Sequence, residues 1–475
     1  MVWKLSESHN LGRWVQPTLS MVFWYGWAYQ KAYADLKLPK TSGKMALLDG
    51  HTIFWKKDYD TILDAAENAI QSKEDVFFKR LCRVSENVVK RHLTIGGRFK
   101  KGKGFFKENL ADLFDSWHAL CVPWTMVILA AIPLEKALEK KILEENLDAE
   151  SVASAVSPRE KTPLMRQNLE ARQFAEEIRT LGISLAGPPT RVFSKIEKKD
   201  PKLAAKMETH LEQFAWAGTH HLWGNRFGWS ALIEQMAPPQ PPMTRKNPGR
   251  FSANTAWLIR QSQRMAYWRQ SLAEASDLTA FWARPQMQQA AKSLGMRYDD
   301  LIWLLDSEIL AGLEGQKLPK MSEINLRKKA FGIASDPEGI RVIFGEELEK
   351  WLSVLVPSVD TTVTELKGTA ASPGFAEGTA CVCITPHDAE KIREGQILVA
   401  PQTTPDFVPF MRKAVAIVTE EGGLTCHAAI VSRELGKPCV VGTRVATRVI
   451  QNGEKIRVDA TAGKIYRLNA GKAST

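Results

Sequence analysis

Apolar residues return every three or four positions, with charges between them, through most of the first 352 residues. That period lays one apolar stripe along a helix. It predicts helices over Asp58–Gln71, Leu134–Leu147, Thr162–Leu181, Asn254–Ser276 and Gly345–Val354. Strand-like alternation is scarce there. Pro238-Pro-Gln-Pro-Pro242 stops any helix and reads as a stiff connector, either between two helical subdivisions or between two long helices. Trp117–Leu134 is strongly apolar, but it is short and carries His118, Pro123 and Pro133. A broken, buried helix pair is therefore expected there, not a membrane span.

From Gly368 the pattern changes to short β runs separated by turns. Thr379–Ile384, Gln396–Ala400, Ala414–Thr419, Pro438–Gly442 and Lys455–Asp459 are the strand candidates, with helices at His387–Arg393 and Ala428–Leu435 between them. Strands and helices mixed this closely predict a compact α/β domain. All 15 tryptophans lie between Trp3 and Trp351, which places the same boundary independently. The expected organisation is multidomain: a large, mostly α-helical region at 1–352, a hinge linker at 353–367, an α/β domain at 368–470 and a tail at 471–475.

Composition narrows the class without naming it. A chain of 475 residues predicts roughly two to four domains. Charged residues make up 25% and hydrophobic residues 44%, which excludes a mainly disordered or collagen-like chain. The net charge is +11, from 64 Lys+Arg against 53 Asp+Glu, but it is dilute. Its densest run, Arg98 to Lys107, reads as a solvated basic connection between helices, so nucleic acid is not an expected partner. None of the six cysteines forms a CxxC pair, and zinc is not expected. The N-terminus lacks a basic segment followed by an apolar run. A cytoplasmic protein with no membrane partner is the expectation.

The chemistry concentrates in Thr419-Glu-Glu-Gly-Gly-Leu-Thr-Cys-His-Ala-Ala-Ile-Val-Ser-Arg433. A buried strand runs into Gly422-Gly423. Thr425 is a good N-cap residue, and His427 follows in the first helical turn. Gly436 suits the left-handed end of that helix, and Pro438 prevents its continuation. A histidine at a helix N-terminus meets the positive end of the dipole, which favours neutral imidazole and stabilises an anion placed on it. Neutral imidazole is a good nucleophile toward phosphorus, and phosphohistidine is such an anion. Thr425 is placed to donate a hydroxyl hydrogen bond to phosphoryl oxygens. Arg433, about two turns on, would reach them only in a suitable fold.

Gly422-Gly-Leu-Thr-Cys-His-Ala-Ala-Ile-Val-Ser-Arg433 resembles the phosphohistidine signature of the phosphoenolpyruvate-utilising enzymes: phosphoenolpyruvate synthase, pyruvate phosphate dikinase and the rifampin phosphotransferases. The resemblance continues through Gly436-Lys-Pro-Cys-Val-Val-Gly442. Gly368, Ala371-Ser-Pro-Gly-Phe-Ala-Glu-Gly378 and Thr403-Thr-Pro-Asp-Phe-Val-Pro409 resemble other segments of the same domain. The resemblance spans residues 366 to 468. It implies a phosphohistidine swivelling domain that collects a phosphoryl group on His427 at one site and delivers it at another. Gly422, Gly423, Thr425 and Arg433 would stabilise the phosphoryl group.

The family normally adds an ATP-grasp nucleotide domain. No such domain is legible here, and a phosphoenolpyruvate-binding barrel, which needs about 250 residues of alternating strand and helix, is not expected within these residues. Gly96-Gly97 with Gly102 and Gly104 lacks a preceding strand and is not a P-loop. The resemblance therefore implies a phosphotransferase component charged in trans by an ATP-grasp protein, with ATP and Mg²⁺ at that partner's donor site and no cofactor or metal on this chain alone. Leu294–Ile309 and Leu211–Trp223 resemble segments of the helical substrate-binding domain of the rifampin phosphotransferases. This implies a small-molecule acceptor in the helical part, for which His220, His221 and Arg226 are the candidates as general base and anion clamp. The alternative is a non-catalytic regulatory or binding protein that retains the histidine domain.

Overall fold

The computed structural model describes residues 8–13, 42, 44–48, 51–101, 107–220, 222–224, 226–236, 251–336, 339–356, 358–384, 386–404, 407–424 and 426–468. The Pro238–Pro242 connector and the 471–475 tail lie outside the described residues.

Counting the longer helices in chain order, α1 is Lys56–Gln71, α2 Asp75–Lys101, α3 Lys107–Glu144, α4 Pro163–Thr180 and α5 Ala253–Ser293. Helices α2, α3 and α5 pack together around the largest hydrophobic core. A buried polar cross-link ties the three. His92 of α2 meets Ser116 Oγ of α3 through Nδ1 at 2.7 Å and Thr279 Oγ1 of α5 through Nε2 at 2.6 Å. Burial pushes this histidine down to about 3, so it is neutral at physiological pH.

Helix α3 corrects the expected break. It runs through both Pro123 and Pro133 as one helix of 38 residues. An interior proline costs about 3 kcal/mol. Burial of each large apolar side chain stabilises by roughly 1.5–3 kcal/mol. Leu120, Val122, Met126, Val127, Leu129 and Leu134 are all buried around those two prolines, which offsets the cost. The helix is long and apolar enough to cross a membrane, yet 72% of its most apolar window is buried within the chain. It is a core helix here.

The N-terminal region also holds an antiparallel sheet that periodicity did not predict. Strands β1 (Ser8–Arg13), β2 (Met45–Leu48), β3 (His51–Trp55), β4 (Gly332–Asp336) and β5 (Gly339–Ile343) lie in the order β1-β3-β2-β4-β5. Met45–Leu48 is buried at every position, so it shows no alternation to read. Helix α6 (Glu346–Leu355) covers this sheet with Leu348, Trp351 and Leu355.

The C-terminal region contains the five expected strands and three more. They are β6 (Glu365–Lys367), β7 (Thr369–Ser372), β8 (Phe375–Val382), β9 (Gln396–Ala400), β10 (Ala416–Thr419), β11 (Cys439–Val441), β12 (Lys455–Asp459) and β13 (Lys464–Arg467). The order is β6-β13-β12-β8-β9-β10-β11-β7. The central pairs β8–β9, β9–β10 and β10–β11 are parallel, and the outer pairs antiparallel. Period-two alternation sends Leu398, Ala400 and Ile417 into one core and Ile397, Val399, Ala416 and Val418 into another. Apolar layers on both faces explain why the central strands read as continuous apolar runs. The first of these cores packs under helices α7 (Val408–Lys413) and α8 (His427–Leu435).

Candidate active site at the carboxyl ends of two parallel strands

Ligand sites in open α/β sheets gather outside the carboxyl ends of parallel strands. Strands β9 and β10 are such neighbours. The segment after β9 supplies Thr403, and the segment after β10 supplies the glycine turn and α8. His427 is the first residue of α8, and its Nδ1 lies 2.9 Å from Thr403 Oγ1. Thr403 is itself buried. In the tautomer that donates Nδ1–H to Thr403, the nucleophilic lone pair is on Nε2.

The local sequence builds this arrangement. Cys426, not Thr425, is the N-cap: its Sγ accepts from Ala429 N at 3.4 Å. Thr425 lies outside the described residues. Gly422 has a φ of +111°, and a Cβ there would stand 2.5 Å from Cys426 Sγ. Only glycine turns the chain this tightly against the cap. A Cβ on Gly423 would come within 1.8 Å of Glu135 Oε2 of α3, so the turn also lies flush against the helical region. Gly436 ends the helix in the left-handed conformation, with φ +62°.

Arg433 is half-buried and directed inward. Its Nη1 donates to Ala371 O of β7 at 3.0 Å and its Nη2 to Leu424 O at 2.8 Å. In this structure the guanidinium holds the glycine turn to the sheet. Glu420, 2% exposed, accepts from Thr447 N at 2.8 Å and Thr447 Oγ1 at 2.6 Å, fixing the other side of the turn. Burial, with the neighbouring Glu420 charge, pushes the Glu421 carboxyl up to about 8.

Helix α8 also faces the helical region at its far end, where Glu434 Oε2 lies 3.7 Å from Arg172 Nη2 of α4. Near the turn, Arg269 of α5 acts electrostatically on Glu421 and Cys426. No local pattern pointed to Glu135, Arg172 or Arg269, which lie on distant helices. Thr403 had a signal, the resemblance of its loop, but nothing in the sequence paired it with His427.

Of the expected acceptor group in the helical region, only part lies within the described residues. Thr219–His220 pairs antiparallel with Trp223–Gly224 in a short two-stranded bridge. The side chain of His220 and all of His221 lie outside what is described. Arg226 is exposed.

The sequence model of the family described as "PEP-utilising enzyme, mobile domain" matches residues 392–463. A probable phosphoenolpyruvate synthase of Archaeoglobus fulgidus is 56% identical over 101 residues, 21% of this chain and 13% of that protein. The phosphoenolpyruvate synthase of Pyrococcus furiosus is 53% identical over 102 residues, 22% of this chain and 12% of that protein. That of Aeropyrum pernix is 39% identical over 169 residues, 35% of this chain and 18% of that protein. This last match is longer than the whole segment from 366 to 475, so it reaches into the helical region. The chain thus spans less than a fifth of the length of each of these relatives. The crystal structure of Thermococcus kodakaraensis aconitase X in its holo-form aligns with 22% of this chain and 100% of its own, at 25% identity and a TM-score of 0.19, too low to argue from. Residues 392–463, with His427 at their centre, are a mobile domain of the PEP-utilising enzyme type.

Proposed function

We propose that this chain is a phosphotransferase component that carries a phosphoryl group on Nε2 of His427. The observation that supports this most directly is the Nδ1 contact with Thr403, which orients the ring and, with Nδ1–H donating to the hydroxyl, leaves the nucleophilic lone pair on Nε2. On charging, an Nε2–P bond forms as the bond from phosphorus to the donor oxygen breaks. On delivery, the Nε2–P bond breaks and phosphorus bonds to an acceptor oxygen. The N-terminus of α8 supplies the positive end of a helix dipole beside the phosphoryl anion. Gly422 and Gly423 line the turn next to it, Arg433 keeps that turn in place, and Thr425 is the residue we assign to hydrogen-bond the phosphoryl oxygens.

The donor in this reading is ATP with Mg²⁺, held by an ATP-grasp protein on another chain, and the acceptor is a small molecule bound in the helical region. The hinge is 353–367. The contacts at Glu135, Arg172 and Arg269 then describe one docked position of the carrier.

Intact mass tests this. The purified chain is incubated with ATP, Mg²⁺ and a candidate ATP-grasp partner or cell extract. The expected result is an acid-labile gain of about 80 Da, one phosphoryl group, absent from His427→Ala. No gain with a partner proven active on another substrate would sink the carrier reading and favour a binding protein without turnover.

A further inference from the structure

A cavity of about 760 Å³ opens in the helical region. That volume is in the range of small-molecule sites, roughly 300–1,000 Å³. Two helices build its walls. Helix α2 contributes a stripe from Cys82 to Leu93, and α5 a facing stripe from Arg260 to Leu278, both at three- and four-residue spacing. The segment 159–166 and Trp216 close it over.

Its chemistry is divided. The inner wall is aromatic, with Trp216, Tyr267 and Trp268. The rim is cationic. Arg159, Lys161, Arg166 and Arg260 are exposed and make no ion pair among the described residues. The other two cations on the lining are already partnered: Lys90 Nζ lies 2.5 Å from Glu86, and Arg264 Nη1 lies 3.7 Å from Asp75. The Ser271 hydroxyl, also on the lining, is buried without a hydrogen-bond partner. Native proteins rarely leave such a group unsatisfied.

The cavity is preformed. Glu274, 2% exposed, accepts from Thr162 Oγ1 at 2.6 Å and from Leu164 N at 3.2 Å. These bonds pin the 159–166 segment over α5. An aromatic wall takes a flat apolar body by stacking, and unpaired cations at its edge take negative charge.

We propose that this cavity binds a small molecule with a flat aromatic body and at least one anionic group, such as an aryl carboxylate. The cavity also adjoins the carrier helix. Lys161 on its rim acts electrostatically on Glu434, which lies two turns from His427 on the same face of α8. Resting on the carrier reading above, the bound molecule is the phosphoryl acceptor. Phosphorus passes from Nε2 to one of its oxygens, the N–P electron pair returns to the ring, and any proton on that oxygen leaves to solvent.

The test uses the full chain and 8-anilinonaphthalene-1-sulfonate, an aromatic anion whose fluorescence rises on binding. One saturable site per chain is expected, with the uncharged N-phenyl-1-naphthylamine bound roughly tenfold more weakly. Arg159→Glu with Arg166→Glu lowers sulfonate affinity by roughly tenfold and leaves the uncharged dye unaffected. Ala275→Trp, which fills the cavity, abolishes both; Ser271→Trp does the same from another position, and far-ultraviolet circular dichroism checks that each variant folds. No saturable site, equal affinity for the two dyes, or unchanged binding in folded filled variants would overturn the proposal. Dye binding needs no phosphoryl donor and persists in His427→Ala. A chain that binds dye but never gains a phosphoryl group refutes the carrier reading alone; one that gains it but shows no dye site refutes the cavity alone.

Discussion

Thr403→Val is the substitution that isolates the orientation of His427. It keeps the shape of the side chain and deletes the oxygen 2.9 Å from Nδ1. A net hydrogen bond is worth roughly 0.5–1.5 kcal/mol. Losing this bond therefore lowers the population of correctly oriented ring by up to about tenfold. The tautomer is released as well: without an acceptor at Nδ1, part of the imidazole places its proton on Nε2 and cannot attack through it. Comparable partners that fix a metal-bound histidine are worth about 10–100-fold. We expect the rate of phosphoryl incorporation to fall by about tenfold, with thermal stability lowered by only about 1 kcal/mol. The assay is quench-flow incorporation of acid-labile phosphate at saturating donor. Thr403→Ser serves as the rescue, because it restores Oγ without the methyl group. Nitrogen-15 chemical shifts of the His427 ring report the tautomer directly. Wild-type rates in Thr403→Val, or equally slow Val and Ser variants with an unchanged ring tautomer, would refute the reasoning.

Other outcomes follow from the turn around His427. Gly422→Ala must place a Cβ at φ +111° against Cys426 Sγ, so a loss of about 1–3 kcal/mol is expected, read as a lower denaturation midpoint; an unchanged midpoint would mean that the turn relaxes freely. Arg433→Met removes the donors to Ala371 O and Leu424 O, leaving two buried carbonyls unpaired, so stability drops by about 2–5 kcal/mol and phosphorylation slows; normal stability with slow phosphorylation would instead place the guanidinium on the phosphoryl group. Glu421 predicts a pH dependence. Its carboxyl is pushed from 4.5 up to about 8 by burial, then by Glu420, against Arg444, Arg448 and Arg269. The folded chain holds this proton where the unfolded chain has released it, so this group's stabilisation is full below the unfolded value and declines as pH rises through about 8. Glu421→Gln should gain on the wild type in chemical denaturation as pH rises across that window, and a difference independent of pH would contradict the assignment.

Local pattern was enough to read half of this protein. The switch from a three-to-four-residue period to short apolar runs marks the change from helices to strands, and five strands and helix α8 stand where the pattern put them. The glycine turn, His427 at a helix start and the left-handed Gly436 were legible because each depends on neighbours within a few residues. The rest depends on contacts between distant parts of the chain. Helix α3 continues through Pro123 and Pro133 because its burial between α2 and α5 outweighs the local cost. Strands β2 and β4 join across nearly 300 residues, and a strand buried on every position carries no period. Thr403 meets His427 because β9 and β10 are parallel neighbours, a register that no local pattern encodes. Arg433 serves the backbone of the turn because packing surrounds it with carbonyls. The aromatic wall and cationic rim of the cavity come from stripes on α2 and α5 that are ordinary amphipathic patterns alone and become a site only when the helices face each other.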